Sequence, residues 1–172
     1  MGETHAQRIE RIRKAYREAH DRLVARLRDA PEDLACRAAP AGGWSAVQIG
    51  WHVAAVDSAF ADLIAGDRPS QALPEDFQER PWAEMAAALP QKIEASRAVV
   101  PPADVRRDEV LAALETSAAK LDAALVRLDN DRAVRFGVTH KVVGTVTLAQ
   151  IGEWATAHTI RHNAQAKRAL GR

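Results

Sequence analysis

What this chain has little of narrows the field before any motif is read. Its 172 residues hold one cysteine, Cys36, so no internal disulfide can form and a reducing compartment is the expectation. Neither sign of charge prevails. The 24 lysines and arginines nearly balance 23 aspartates and glutamates, so no broad field draws in nucleic acid or an anionic membrane. No apolar run approaches a membrane span, and the polar opening MGETHAQRIER lacks the apolar stretch of a secretory signal. Gly2 does not begin an acylation pattern, because Ala6 stands where Ser or Thr is required. A soluble, cytoplasmic protein with no nucleic-acid or membrane partner is expected. Catalytic signatures are missing too: there is no H-E-x-x-H, no G-x-S-x-G elbow and no Gly-rich phosphate loop. Cys36 has no histidine or basic neighbour in sequence to activate it.

What is present favours helix. Alanine and arginine are abundant and β-branched residues thinly spread, and the length suits one domain, residues 1–172, with an unaided core. Thr4 with Gln7 forms a capping-box pattern, and Ile9, Ile12, Tyr16, His20, Leu23 and Leu27 follow at helical spacing to Pro31. Ser45 with Gln48 opens a second helix, with Trp44 and Ile49 as a hydrophobic staple, and its seam runs Ile49, His52, Val56, Ala59, Leu63 to a stop at Gly66. Six of the eight prolines then fall within 67–106. This reads as a long crossover with one or two short helices over about 82–98, broken or kinked at Pro90, which permits neighbouring helices to run parallel. A third main helix spans 107–128 and ends at Asp129-Asn130-Asp131. The segment 134–146 reads as loop, with an extended strand or short hairpin as the alternative. Thr147 with Gln150 opens the last helix, 147–170.

That last helix organises the chemistry. Leu148, Ile151, Ala155, His158, His162, Gln165 and Ala169 form its seam, so two imidazoles stand one above the other where leucines are usual. His52 adds a third on another helix. A lone histidine on an apolar face is ordinarily a hydrogen-bonded core residue, but buried imidazoles must each find a partner. Three of them match an open, catalytic-type metal site. From the spacing, core packing and metal binding both stand. His20 could add a fourth ligand or an outer contact, although a hydrogen-bonded core role is the plainer reading. Gln48 and Gln165, each one turn from a histidine, could hold an imidazole in place from outside. The capping box alone would already explain Gln48. Asp57 and Glu153 point off the seams and read as solvated; His5 and His140 read as exposed; Trp51 and Trp154 read as packing.

The stretches GGWSAVQIGWHVAAVDSAF and TLAQIGEWATAHTIRHNAQAKRAL together resemble the DinB-like superfamily of damage-inducible and YfiT-type proteins. The shared marks are a Trp-Ser helix start, a histidine about two turns in, and a terminal His-x3-His-x2-Gln. The resemblance implies an all-α four-helix bundle with a long crossover between the second and third main helices, and a homodimer. It implies a divalent ion (nickel, zinc or iron) on His52, His158 and His162. It also implies a metal-dependent enzyme of the thiol S-transferase or hydrolase type, whose partner is a low-molecular-weight thiol or another small molecule. The alternative is a non-enzymatic, stress-associated dimer in which the ion only stabilises the bundle.

Overall fold

Three capping boxes set where three of the four long helices begin. Thr4, Ser45 and Thr147 each accept a hydrogen bond from the backbone three residues on, while Gln7, Gln48 and Gln150 accept from the cap's own N–H. The computed structural model describes residues 2–40, 42–90 and 93–171. In chain order these form α1 (His5–Arg28), α2 (Glu32–Cys36), α3 (Ala46–Ala65), β1 (Gln71–Ala72) and α4 (Trp82–Ala87). A 3-10 turn (Arg97–Val99) follows, then α5 (Arg107–Arg127), α6 (Asn130–Arg135), β2 (Phe136–His140), β3 (Gly144–Thr147) and α7 (Leu148–Ala169).

Helices α1, α3, α5 and α7 make a four-helix bundle. Ile12 of α1 lies against Gly152 of α7 and Arg26 bonds Asn163, so these two run parallel. Gly50 of α3 meets Val110 and Leu114 of α5, and Lys120 reaches back to Ser58 and Asp62, so α3 and α5 are also parallel. The pairs oppose each other: Phe60 of α3 packs on Trp154 of α7, and His20 of α1 bonds the Leu114 carbonyl while Arg13 bonds Asp122. The parallel α3–α5 pair depends on the crossover between them. The helical part is broken before Pro90: α4 stops at Ala87, and among the described residues the next helical turn of the crossover is the 3-10 turn. Proline has no N–H to donate and disfavours helix in the residue before it.

The segment read as loop is a hairpin. β2 pairs antiparallel with β3, Val138 opposite Val146 and His140 opposite Gly144, and β1 adds a third, short strand beside Phe136 and Gly137. The two glycines that suggested a loop serve the ladder. Gly144 turns with φ 78, and a Cβ on Gly137 would stand 2.1 Å from the Val146 oxygen. Two short helices also went unread: Pro31 opens α2, and Asp129, expected only to end α5, caps α6 through Arg132 N–H. No described helix is long and apolar enough to cross a membrane.

The core divides into two apolar clusters. One, nearer the hairpin, holds Ile12, Phe60, Ile64, Leu121, Leu125, Leu148 and Ile151. The other holds Leu23, Leu27, Val47, Ile49, Val53, Val110 and Leu114. Along each long helix a polar residue falls near the change-over: His20, His52, Ser117 and His158. The bundle has a polar waist, and the histidines are in it.

Candidate metal centre

The waist brings together the three seam histidines. One ring nitrogen from each of His52, His158 and His162 lies within 4.8 Å of the other two. His52 is buried, and His158 and His162 are half-buried. The hydrogen bonds decide which nitrogens face inward. His52 Nδ1 stands 2.7 Å from the Val99 carbonyl, which can only accept, so Nδ1 carries the proton and Nε2 the lone pair. His162 Nδ1 donates in the same way to Gln165 Oε1 at 2.8 Å. His158 Nε2 stands 3.2 Å from His52 Nε2, while its Nδ1 is buried without a hydrogen-bond partner among the described residues.

The residues fit a divalent ion. Two imidazole nitrogens about 2.0–2.1 Å from one ion stand about 3–3.6 Å apart; the His52 and His158 nitrogens stand 3.2 Å apart, and the His162 nitrogen lies within 4.8 Å of both. Outer hydrogen bonds of the kind made by Val99 and Gln165 fix ring tautomers at such sites. The electrostatics agree. Burial, then the neighbouring His52, pushes His162 down to about 3. Burial, with His162 and His52 adding, holds His158 well below its ordinary range, and burial lowers His52 against the pull of Val99. All three rings are neutral near pH 7, as metal coordination requires.

The other predicted residues go elsewhere. His20 is apart from the trio, its Nε2 on the Leu114 carbonyl at 3.1 Å. Gln48 hydrogen-bonds no histidine: its oxygen completes the Ser45 capping box, and its Nε2 donates to the Pro102 carbonyl at 3.0 Å. Asp57 and Glu153 are not solvated, contrary to expectation. Asp57 is fully buried and accepts from the Tyr16 hydroxyl at 2.7 Å; Glu153, 9% exposed, is held by Arg8 and Arg11. Helices α3 and α7 each pack on more than one neighbour, so leaving the seam does not mean reaching water. His5 is half-buried on the Leu128 carbonyl. His140 is half-buried on β2, its ring 5.1 Å from Trp154.

Sequence reasoning missed three neighbours. Trp44 lies 4.9 Å from the His52 ring, and its sequence position before the cap signals only a staple. Phe60, two turns beyond His52, lies 6.4 Å from His158 and 5.1 Å from Trp154, a spacing that could have been noticed. The Val99 carbonyl is backbone and has no side-chain signal.

A family model described as the DinB superfamily matches residues 15–166. The chain belongs to the DinB superfamily. A solved structure, the conserved protein of a locus from Enterococcus faecalis, is similar with a TM-score of 0.63 and 18% identity over 94% of each chain. At that identity the likeness speaks for the fold alone. No curated protein matches the sequence. In this DinB-superfamily chain the histidines on α3 and α7 form a group that could hold a metal.

Proposed function

We propose that this chain is a divalent-metal-dependent enzyme of the thiol S-transferase or hydrolase type, with His52, His158 and His162 as the ligands of a nickel, zinc or iron ion. One observation carries the reading: three neutral imidazoles converge, two with their outer nitrogens already committed to Val99 and Gln165. Three protein ligands leave a coordination position for a small molecule, which distinguishes catalytic from closed structural sites. When bound, such an ion lowers the pKa of a coordinated thiol or water. The chain's own residues orient and shield. Val99 and Gln165 set the ring tautomers, and Trp44 and Phe60 place aromatic surface beside His52 and His158. The proposed partners are a low-molecular-weight thiol or other small substrate and a second copy of the chain.

A second reading has its own support. The candidate ligand group contains no carboxylate, and Asp57 and Glu153 are engaged by Tyr16 and by Arg8 and Arg11. A histidine group with no free carboxylate beside it among the described residues suits a non-enzymatic, stress-associated dimer stabilised by its ion.

Elemental analysis of untagged protein purified without chelator tests the common premise. Near-stoichiometric metal in the wild type, lost in His158→Ala, is the expected result. No metal in either, even after incubation with each ion, would return the histidines to core packing and end the enzyme reading. Thiol and ester screens on the loaded protein then separate enzyme from stabilised bundle.

A further inference from the structure

His52 is carried by α3, but its outer nitrogen is held from outside the four-helix bundle. The acceptor, Val99, closes the 3-10 turn of the crossover, 47 residues further along the chain. One turn earlier on α3, Gln48 Nε2 donates to the Pro102 carbonyl at 3.0 Å and stands 3.5 Å from the Ala103 carbonyl. Donors at 48 and 52 thus meet acceptors at 102 and 99, two rungs that lay the crossover against the helix. Pro101 and Pro102 suit this role. Neither has an N–H to offer a neighbouring carbonyl, and their fixed φ keeps 101–102 extended. The bonds inside the segment, Val99 N–H to Ser96 and Val100 N–H to Arg97, use other carbonyls and leave those of Val99 and Pro102 to α3. Pro101 is itself buried, which seats the strap.

We propose that residues 96–103 are a positioning strap for the metal centre, in which the Val99 carbonyl sets the His52 tautomer and strap docking is coupled to ion binding. This rests on the metal reading above but not on any catalytic activity. With the strap docked, His52 has one tautomer and presents Nε2 to the trio. With it lifted, the ring can rotate and protonate at either nitrogen, so only a fraction of the molecules is ready to bind. The coupling is reciprocal: whatever factor docking adds to ion affinity, the ion adds to docking. Val99 is therefore a positioning residue that acts through His52. Gln48, which the sequence suggested for direct contact with a ligand ring, acts one step further out by holding the strap.

The test uses zinc(II) on the full chain, with hydrogen exchange of the 97–104 segment and a competition titration for affinity. In the wild type, saturating zinc should slow exchange of this segment severalfold. Gln48→Glu, which keeps the oxygen that accepts from the Ser45 N–H, controls for the half of the capping box that methionine loses. Gln48→Met is neutral, similar in length, keeps the Ser45 side-chain cap and removes the donor to the strap. It should speed exchange of 97–104 without zinc and weaken zinc binding by about tenfold, the range in which outer-contact losses fall. A purely structural role for the strap would leave affinity unmoved. Stoichiometric zinc binding with unchanged wild-type exchange would overturn the coupling alone, as would a loosened strap in Gln48→Met with undiminished affinity. Failure of the wild type to bind zinc or any other divalent ion would overturn the metal reading and this inference with it. Should Gln48→Met not fold, the wild-type exchange comparison decides by itself.

Discussion

Asp57 occupies a position where a carboxylate is expensive: fully buried on α3, with Tyr16 Oη on one oxygen and no partner on the other among the described residues. Burial pushes its pKa up to about 7, against the downward pull of the Tyr16 bond. The same burial, and the nearby Asp57 charge, raise the Tyr16 hydroxyl. An unfolded aspartate loses its proton near about 3.9, while the folded one keeps it to about 7. Between those values the unfolded chain binds fewer protons, so this group's contribution is fully present below about pH 4 and is lost as pH rises to about 7, up to roughly 4 kcal/mol. Asp57→Asn keeps an acceptor for Tyr16 and cannot ionise. The stability difference, wild type minus Asp57→Asn, should therefore fall steadily from pH 4 to pH 7 in urea titrations. A flat difference would mean that Asp57 is solvated or paired in solution. The depressed histidines act in the opposite sense, destabilising the fold as pH falls below about 6.5, which is why the difference and not the raw profile is informative.

At the scale of elements, close approach sets the bundle's spacing. A Cβ on Gly50 would stand 2.6 Å from Leu27 Cδ1 and 2.9 Å from Val110 Cγ1, so α3 touches α1 and α5 through a residue with no side chain. Gly50→Ala gains helix propensity but overfills this contact. We expect a net loss of about 1–2 kcal/mol and a melting temperature lower by roughly 2–8 °C, read by thermal denaturation. A rise instead would show that Leu27 and Val110 move aside freely. Three of the long helices were legible in the sequence because their starts are written in side chains, with Thr4, Ser45 and Thr147 each answered by a glutamine three residues on, while α5, which has no side-chain cap, was legible from its apolar spacing. The histidine trio was legible because seam positions imply shared burial. The hairpin was not, since Gly137 and Gly144 look like breakers until β3 is alongside. Nor was the burial of Asp57, which depends on α1 reaching across to α3, or the hold on His52, which comes from a carbonyl that every sequence has at every position.

For the whole molecule, the proposed ion should act as a stabilising ligand of the folded state alone. At a free concentration 100-fold above its dissociation constant it would add about 2.7 kcal/mol, a rise of roughly 5–11 °C in melting temperature for a chain of this size. Chelator should reverse the rise, and His158→Ala should abolish it. A melting temperature indifferent to divalent ions would place the trio among ordinary core residues. The two apolar clusters flank the polar waist, so an ion there would link α3 to α7 at the level where apolar packing between the helices gives way to polar contacts. His52 and His158 are also 106 residues apart in the chain. At roughly 5–20 residues per second, a ribosome delivers α7 several seconds or more after α3. During that interval the nascent polypeptide displays one member of the trio and cannot assemble the other two around it. An interrupted translation product ending before α7 would have the crossover and His52 but not His158 or His162, so ion retention would report that α7 has been made.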